Sequence, residues 1–352
     1  MDKVIVAMSG GVDSSVAAAY LKDKGFEVIG LTFIMFSEGG NLSNKDKNAL
    51  SDAKKVAEQL EIKHYEKNIT REFHNTIIKD FIRQYKRART PNPCVICNRK
   101  IKFSFLLDEV KRLNADYVAT GHYALIEHNS KINNRDLLKK AKDLDKDQTY
   151  MLYRLSQKQL GKSLFPMGQF SKKQIRKMAK YYDLVIHDKP DSQDICFIED
   201  NDYIKFLEEQ SKNIKKTGPI LDLSGNKLGE HNGLYNYTIG QRKGLGISKS
   251  YPLYVVRLDY DKNAVIVGMN KDVFKNSFFI KKPNWIYYKN LIKPFVVSCK
   301  IRYNSPAKLA AIYPEKNNLF KVVFKEKERA VTPGQSAVFY KDNYVLGGGI
   351  IK

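Results

Sequence analysis

Apolar and polar residues follow two alternating periods along the first 120 positions of the chain. Continuous apolar runs of strand length occur at 4–8, 27–33 and 115–120. Apolar residues at helical spacing occur between and after these runs, at 14–24, 49–60, 72–87 and 103–113. This alternation predicts an α/β domain in which a Rossmann-like, doubly wound parallel sheet carries helices on both faces. In such a domain the ligand lies at the carboxyl ends of the strands.

The apolar stretches along the chain become shorter after about residue 205. The polar and basic segment 211–219 predicts a linker, and the glycine-bearing segment 37–48 predicts a mobile loop. Short alternating stretches then predict β-rich modules, at 254–258, 264–267, 296–303, 320–324 and 336–340. We expect three domains: a catalytic domain at 1–205, a small central domain at 206–272 and a β-barrel-like domain at 273–352.

The composition indicates the type of protein and the kind of partner that it binds. No apolar run in the 352 residues reaches the length of a membrane span, and the chain shows no signal-peptide pattern, so we expect a soluble, cytoplasmic protein. The formal net charge of +23 and the pI near 9.6 favour a polyanionic partner. A lysine-rich surface without a binding role would give the same charge.

The turn after the first strand carries the strongest signal for ligand binding. Its two glycines allow the backbone to lie close against a ligand, and the unpaired N–H groups of the following helix favour an anion. The Walker P-loop and the dinucleotide-binding Gly-x-Gly-x-x-Gly pattern are both absent. A tight strand-to-helix turn without a ligand is the alternative. The residues are Ser9-Gly10-Gly11-Val12-Asp13-Ser14-Ser15.

The four cysteines favour chemistry or metal binding over a disulfide scaffold in a cytoplasmic chain. Two of them, Cys94 and Cys97, follow a double-proline approach and precede a helical segment rich in basic residues. Positive charge and a helix N-terminus both stabilise a thiolate, so we expect Cys97 to be a reactive thiol. Cys196 follows a proline and a polar turn, and we expect an apolar strand after it.

The motif Ser-Gly-Gly-x-Asp-Ser resembles the pyrophosphate loop of the PP-loop ATP pyrophosphatases. Further segments extend the likeness over nearly the whole chain, in the order of one family, and the chain resembles the tRNA-specific 2-thiouridylases. The segments that carry this resemblance are 9–15, 90–103, 119–123, 146–152, 194–198, 237–246, 302–303 and 332–335.

The resemblance implies an ATP-dependent reaction on tRNA. ATP would adenylate O2 of the wobble uridine, and sulfur from a sulfur-relay protein or cysteine desulfurase would displace AMP to give 2-thiouridine. Asp13 would help to hold Mg²⁺, and Phe33 stands where the family often has Met. The implied ATP site consists of Ala7, Met8, Ser9, Gly10, Gly11, Val12, Asp13, Ser14, Phe33 and Gly121.

The resemblance also implies roles for the thiols. In the persulfide version Cys196 accepts sulfur, and Cys97 acts as nucleophile or resolving thiol and ends in a disulfide with Cys196. Cys94 is a departure, because many family members carry Asp there. With Cys97 and Cys196 it would supply three thiolates, which suits a [4Fe–4S] cluster with one open iron. Cys94 could instead contact the base, or ligate zinc in a set completed by Cys299; a thioredoxin-like redox role is less favoured.

The same resemblance implies how tRNA is held. The target base would lie against Asn92, Pro93 and Cys94, and the anticodon stem-loop would contact residues in two further segments: Lys146, Asp147, Gln148, Arg302 and Tyr303. An ordinary polar turn and an ordinary strand end are the structural alternatives for those segments. The basic, glycine-rich segment 237–246 would bind phosphates or form a packed hairpin. We expect a monomer apart from tRNA.

Two other functions fit parts of the sequence. A PP-loop synthetase would adenylate a small metabolite and would have no use for Cys97 or Cys196. An RNA-binding protein without catalysis would keep the nucleotide loop only as structure.

Overall fold

We determined the architecture from a computed structural model, which describes residues 1–36, 44–132, 134–190, 195–212 and 214–352. The strands are β1 (Lys3–Ala7), β2 (Glu27–Ile34), β3 (Lys63–Asn68), β4 (Tyr117–Thr120), β5 (Leu125–Ser130), β6 (Arg135–Lys139), β7 (Ser163–Leu164), β8 (Gly218–Leu221), β9 (Lys227–His231), β10 (Tyr254–Asp259), β11 (Ala264–Gly268), β12 (Phe274–Trp285), β13 (Phe295–Lys300), β14 (Lys308–Pro314), β15 (Phe320–Arg329), β16 (Ser336–Lys341) and β17 (Tyr344–Ile351).

The helices connect and cover these strands. They are α1 (Val12–Asp23), α2 (Asn44–Gln59), α3 (Thr70–Phe73), α4 (Lys79–Lys86), α5 (Pro93–Cys97), α6 (Phe103–Arg112), α7 (Thr149–Leu152), α8 (Gln157–Leu160), α9 (Lys172–Tyr181) and α10 (Tyr203–Gln210). Two π-helical turns, His74–Ile78 and Asn98–Lys102, join α3 to α4 and α5 to α6.

The N-terminal domain is built on a parallel sheet with strand order β3-β2-β1-β4-β7. Alternate residues of β1 face opposite sides, as the two-residue period of a strand requires. Val4 and Val6 pack under α1, α2 and α9, whereas Ile5 packs with α6 on the other side. The predicted Rossmann-like α/β domain is therefore confirmed.

One local prediction in this domain was wrong, and one element was missed. Residues 44–48 are the first turn of α2 and not part of a loop, while residues 37–43 lie outside the described residues. Polar residues dominate that turn because only the middle of α2, at Ala53, Val56 and Ala57, is buried against the sheet. The hairpin of β5 and β6 has no counterpart among the predicted elements.

The central domain has a four-stranded sheet with order β10-β11-β8-β9. Its first strand begins at Gly218, so the last two residues of the predicted 211–219 linker belong to a strand; residue 213 lies outside the described residues. Pro219 is compatible with strand structure here because β11 pairs only with Ile220 and Leu221 of β8.

The C-terminal domain is a closed barrel of six antiparallel strands, β12 to β17, as predicted. Strand β12 pairs with both β15 and β17 and thereby closes the ring. The β5–β6 hairpin of the N-terminal domain extends this sheet through the pairing of Lys139 with Tyr344. The exact domain boundaries at 205/206 and 272/273 stay predictions.

Buried tyrosines join the barrel to the N-terminal domain. The Tyr150 hydroxyl donates to the Ser336 carbonyl at 2.8 Å, and the Tyr153 hydroxyl lies 3.1 Å from the Ser336 hydroxyl. Asn284 donates to the carbonyls of Tyr153 and Leu155 at 2.8 and 3.1 Å. Both tyrosine side chains are fully buried, so these bonds are shielded from water.

Across the described ranges, no helix is both long and apolar enough to span a bilayer.

Replacing Tyr150 with Phe should lower the free energy of unfolding by about 1–2 kcal/mol, because the buried Ser336 carbonyl loses its donor. The urea midpoint measures this change. Tyr313→Phe is the matched control, since Tyr313 is an exposed tyrosine on β14. Equal midpoints for the two variants would show that the buried hydrogen bond does not hold the domains together.

Candidate active site

The turn between β1 and α1 requires glycine at its first position. Gly10 has a φ of +65°, and a Cβ there would lie 2.1 Å from the carbonyl oxygen of Ala49. The turn is therefore pressed against α2. Gly11 is the N-cap of α1 and offers no side chain to the first helical N–H groups. An anion at this position can accept hydrogen bonds from those groups.

Hydroxyl groups hold the shape of this loop. The Ser14 hydroxyl accepts from the backbone N–H of Ser9 at 3.2 Å and donates to the carbonyl of Gly11 at 3.0 Å. The Ser15 hydroxyl also donates to Gly11, at 3.0 Å. These bonds are short-range and local, so the loop is shaped before any ligand enters.

Asp13 is bound by two residues from distant segments. The Tyr123 hydroxyl donates to its Oδ1 at 2.8 Å, and Lys172 Nζ approaches the same oxygen at 2.7 Å. Lys189 Nζ donates to the Gly10 carbonyl at 2.8 Å and pairs with Asp52 at 2.6 Å. The loop thus has two ammonium groups beside it, as an anionic ligand requires.

The remaining residues of the predicted ATP site lie at the ends of β1 and β2. These strands pair in register up to Ala7 and Leu31, and Met8 N–H donates to the Leu31 carbonyl at 2.9 Å. Met8 and Val12 are buried in the core, whereas Phe33 is half-buried at the carboxyl end of β2. The structure therefore brings the predicted ATP residues together at one sheet edge.

Gly121, at the end of β4, touches the same loop. A Cβ at Gly121 would lie 2.7 Å from both the Asp13 carbonyl carbon and the Ser14 nitrogen. The next residue, His122, bonds through Nδ1 with the Thr120 hydroxyl at 2.7 Å. Burial, with the nearby Lys102 charge, lowers the pKa of His122 to about 3, so this ring is neutral at physiological pH.

Cys94 and Cys97 lie in one helical segment with a π turn. Pro93 occupies the first turn of α5, where its missing N–H costs nothing. The π turn follows directly after Cys97, and the Phe103 N–H donates to the Asn98 carbonyl. Such turns are frequent at functional sites because they change the direction of the side chains that follow. Here the turn ends at Lys102.

The Lys102 ammonium interacts electrostatically with three cysteine thiols. Burial alone would lower its pKa, but interactions with Cys97, Cys196 and Cys94, in decreasing order, raise it above the ordinary value. The ammonium therefore stays protonated. His122 is close enough to feel the same charge. A continuous set of neighbours thus links the loop at Ser14, through Gly121 and His122, to the thiols.

The expectation of a thiolate at Cys97 was wrong for this structure. Burial raises the pKa of Cys97 to about 12, although Lys102 and the Lys102 backbone N–H act in the opposite direction. Burial also raises the pKa of Cys94, again opposed by Lys102. The basic residues were visible in the sequence, but the loss of solvent around the sulfur atoms was not.

Cys196 differs from the other two thiols because it is exposed. It lies in a turn, closed by the Ile198 N–H to the Ile195 carbonyl, and not before a strand as predicted. Phe197 anchors the turn, with its ring 5.7 Å from Phe73 and 5.4 Å from Phe81. Residues 191–194 of the same motif lie outside the described residues.

None of the four cysteines is in a disulfide, and Cys299 is buried inside the barrel. Within the described ranges, no three His, Cys, Asp or Glu side chains are grouped closely enough to hold a metal ion. The zinc site that Cys299 would complete is therefore not formed in this structure.

Asn92 and Pro93 line a cavity where α4, the segment before α5 and the barrel meet. Asn92 Nδ2 lies 3.5 Å from Met151 Sδ, and Asn98 Nδ2 donates to the Met151 carbonyl at 3.1 Å. Phe81 and Lys281 contribute to the same cavity. Two of the three residues predicted to meet the target base, Asn92 and Pro93, are thus beside an opening between domains, whereas Cys94 does not line it.

Hydrogen bonds connect the segment 146–148 to Tyr123, the residue whose hydroxyl contacts Asp13. Gln148 exchanges two hydrogen bonds with the Tyr123 backbone, at 2.8 and 3.0 Å. Asp147 is buried, accepts from the Ala141 N–H at 2.9 Å and from the Thr149 hydroxyl at 2.6 Å, and has a pKa raised by that burial. Its carboxylate is therefore used inside the protein. Lys146 is partly exposed at the turn.

Arg302 and Tyr303 also make internal contacts. Arg302 donates to the buried Glu328 and to the Ala330 carbonyl, both at 3.3 Å. The Tyr303 ring is 6.2 Å from the ring of Tyr150, and Lys300 Nζ lies 5.6 Å from its centroid. Both residues are partly exposed, and their role toward tRNA stays a prediction.

The segment 237–246 forms no hairpin. Gly240 N–H donates to the Val255 carbonyl at 2.8 Å, and Arg329 donates to the Gly240 carbonyl at 3.0 Å. The loop is therefore fastened between β10 and the barrel, while Arg242 and Lys243 are exposed.

Comparisons with known proteins agree with this three-part architecture. Residues 2–200 match the profile of the tRNA methyl transferase HUP domain, 204–269 the tRNA methyl transferase PRC-barrel domain and 275–351 the aminomethyltransferase beta-barrel domain. The tRNA-specific 2-thiouridylase MnmA of Halothermothrix orenii is 53% identical, over 100% of this chain and 99% of the relative. The chain belongs to the tRNA-specific 2-thiouridylase family.

A second relative is similar over the full length, and a solved structure is similar over part of it. The tRNA-specific 2-thiouridylase MnmA of Caldicellulosiruptor saccharolyticus is 48% identical, over 99% of this chain and 98% of the relative. Among solved structures, the U34-tRNA thiolase NcsA from Methanococcus maripaludis with its [4Fe-4S] cluster has 18% identity and a TM-score of 0.36, covering 60% of this chain and 65% of that one. That likeness is too weak to bear on function.

In this member of the 2-thiouridylase family, three lysines beside the site were not predicted from the sequence: Lys102, Lys172 and Lys189. Lys172 and Lys189 follow ordinary basic and polar segments, and only folding brings them to the loop. Lys102 was visible as one of several basic residues after Cys97, but nothing in the pattern separated it from Lys100. The fold distinguishes the two lysines: Lys102 ends the π turn and lies near the thiols, whereas Lys100 is exposed.

Replacing Lys102 with Met should move the pH midpoint of Cys97 alkylation further upward, because the thiolate loses a neighbouring positive charge. At a given pH below the midpoint, we expect alkylation to slow by roughly three- to tenfold. Peptide-resolved mass spectrometry after iodoacetamide treatment across pH measures the profile.

Lys100→Met is the control, since Lys100 is exposed on the same turn. Its profile should match that of the unmodified protein. A Lys102→Met profile with an unchanged or lower midpoint would contradict the assigned electrostatics.

Proposed function

We propose that this protein is an ATP-dependent tRNA uridine 2-sulfurtransferase that converts the wobble uridine to 2-thiouridine. The contact of Gly121 with Asp13 and Ser14 carries the proposal, because it joins a phosphate-binding loop to the segment beside the thiols. Its 2-thiouridylase relatives, similar over the full chain, support the same substrate.

The nucleotide side would activate the uracil oxygen. The α1 N-terminus and the loop N–H groups would bind the phosphates of ATP, with Lys172 and Lys189 supplying positive charge. Uracil O2 would attack the α-phosphorus, and pyrophosphate would leave. Asp13 would help to hold Mg²⁺, which would neutralise charge on the departing pyrophosphate.

The sulfur side uses the difference in exposure between the thiols. Exposed Cys196 can receive sulfur from a donor protein as a persulfide, whereas buried Cys97 cannot. The terminal persulfide sulfur would attack C2 of the adenylated uridine, and AMP would leave with the former O2. Attack of Cys97 on the Cys196 sulfur would then release 2-thiouridine and form a Cys97–Cys196 disulfide. A two-electron thiol reductant would reopen it.

The positive charge of Lys102 suits the proposed sulfur transfer. Each stage would place a negative or nucleophilic sulfur near the Lys102 ammonium, with which the three thiols interact electrostatically. Desolvation makes such a charge more effective than it would be in water. The residue would therefore stabilise the sulfur nucleophile once the persulfide forms.

The arrangement of Cys94, Cys97 and Cys196 in this structure does not fit a cluster. All three feel the charge of Lys102, but the described residues contain no compact group of metal-binding side chains. We therefore route no step through iron. Anaerobic purification followed by iron analysis tests this choice, and a stoichiometric cluster required for thiolation would overturn it.

The proposal also includes the cellular setting. A tRNA substrate and a sulfur-relay protein or cysteine desulfurase as donor would place the enzyme in the cytoplasm, acting as a monomer on the anticodon stem-loop. The net charge of +23 supports an RNA partner. A synthetase acting on a small metabolite would not need the thiols beside Lys102, and a non-catalytic RNA-binding protein would not need the pre-shaped phosphate loop.

Replacing Cys97 or Cys196 with Ser should abolish 2-thiouridine formation, by at least about a hundredfold, while tRNA-dependent release of pyrophosphate by the adenylation step persists. Adenylation needs the loop but not the thiols. Nucleoside mass spectrometry and pyrophosphate detection measure the two steps separately.

Cys299→Ser is the control, because Cys299 is buried in the barrel away from this site. It should keep both activities if the barrel folds, as checked by its urea midpoint. Full thiolation by Cys97→Ser or Cys196→Ser would refute the thiol mechanism, and pyrophosphate release without any dependence on tRNA would favour a small-metabolite synthetase.

A further inference from the structure

A group of basic side chains lies beside the cavity that contains Asn92 and Pro93, outside the residues assigned so far to tRNA. Lys281 and Lys282 line that cavity from strand β12. Three further cations lie near enough to act on Lys281 electrostatically. We call this group the basic strip: Arg87, Arg89, Lys281, Lys282 and Lys352.

The fold brings the two halves of the strip together. Thr90 N–H donates to the Pro333 carbonyl at 3.0 Å, and Gln335 Nε2 donates to the Thr90 carbonyl at 3.0 Å. Gly334 fits against Thr90, where a Cβ would lie 2.9 Å from its carbonyl oxygen. These contacts hold the segment after α4, with its two arginines, against the barrel.

The barrel half of the strip is held by strand pairing. Lys281 lies opposite Ile350 of β17, and the Lys352 N–H donates to the Phe279 carbonyl at 2.9 Å. The Gly334 N–H donates to Ile351 at 3.0 Å, so the same strand end contacts the turn that grips Thr90. The lysines therefore lie at the junction with the N-terminal domain.

A β-bulge in β12 changes the direction of the two lysine side chains. The register between β12 and β17 breaks between Lys281 and Asn284, and Lys282 has a φ of +51°. A lysine in this left-handed region costs energy that an ordinary strand residue avoids. Bulges of this kind change side-chain direction next to binding sites. Here the result is two adjacent lysines on the wall of one cavity.

The strip has an excess of positive charge. Burial lowers the pKa of Lys281, and the charges of Arg89, Lys282, Lys352 and Arg87 lower it further. Asp80 is the acidic side chain on the cavity wall, and it is already paired with Arg83. Cations packed this way repel one another until an anion arrives.

We infer that the basic strip binds the sugar-phosphate backbone of tRNA next to the nucleotide whose base enters the Asn92–Pro93 cavity. The inference rests on the proposed function for the identity of the RNA. A chain of phosphates suits this group, because two of its cations line the cavity and the other three lie near Lys281. Contacts of this kind position the RNA without reading its sequence.

The test compares Lys281→Gln/Lys282→Gln with the unmodified full-length protein in tRNA binding, measured by fluorescence anisotropy between about 50 and 200 mM NaCl. We expect Kd to rise roughly tenfold at low salt and the slope of log K against log salt to fall by about 1 to 2. Lys275→Gln is the control, since Lys275 is exposed on the same strand but outside the cavity. It should leave the slope nearly unchanged.

Lys281→Arg/Lys282→Arg keeps the charge and should keep the slope, which separates loss of phosphate contacts from misfolding. Wild-type affinity and slope in the Gln variant would overturn the inference. So would intact tRNA binding combined with slower sulfur delivery from a donor protein, which would make the strip a protein contact. A weakened Gln variant of a protein that forms no 2-thiouridine would support the strip while refuting the proposed function.

Discussion

The close approach of Gly121 to Asp13 and Ser14 is the constraint on which the site depends. Any side chain at Gly121 would meet the loop backbone at 2.7 Å, so β4 and the phosphate loop can be this close only with glycine. Because β4 is adjacent to β1 in the sheet, the end of β4 is carried to the loop by the parallel register itself. His122 then continues toward Lys102 and the thiols. The loop proposed to bind the nucleotide and the thiols proposed to transfer sulfur are thus connected through Gly121 and His122.

The burial of the thiols gives the site a built-in order of events. A Cys97 thiol with a pKa of about 12 is a poor nucleophile at physiological pH, which protects it from reaction with solutes. Exposed Cys196 can meet a donor without opening the site. Lys102 then provides a positive charge at the place where sulfur must carry negative charge. In the proposed mechanism the chemistry would therefore begin at exposed Cys196 and end at buried Cys97.

The N-terminal domain and the barrel together line one opening. The barrel grips the segment before Cys94 through Thr90, and buried Tyr150 and Tyr153 hold the barrel to the N-terminal domain. The cavity beside Asn92 exists only because these parts meet. In the proposed function, a base turned out of an anticodon loop would enter such a junction without the RNA helix entering the protein.

Much of this could be predicted from the sequence, and the failures have physical causes. The period of apolar residues predicted the α/β domain, and the loop from Ser9 to Ser15 forms the predicted strand-to-helix turn, while its role as a nucleotide site stays a prediction. The β5–β6 hairpin was missed because its burial comes from the distant barrel and its own pattern is polar. The pKa of Cys97 was predicted in the wrong direction because neighbouring charge is visible in a sequence whereas desolvation is not. Lys172 and Lys189 were missed because only the fold brings them to the loop.

The most direct test of a single site that activates oxygen and replaces it with sulfur is to follow the oxygen itself. A tRNA carrying ¹⁸O at C2 of the wobble uridine is incubated with the enzyme, ATP, Mg²⁺ and a sulfur donor, and AMP is analysed by mass spectrometry. The account predicts one ¹⁸O atom in AMP for each 2-thiouridine formed. Thiolated tRNA accompanied by unlabelled AMP would contradict it.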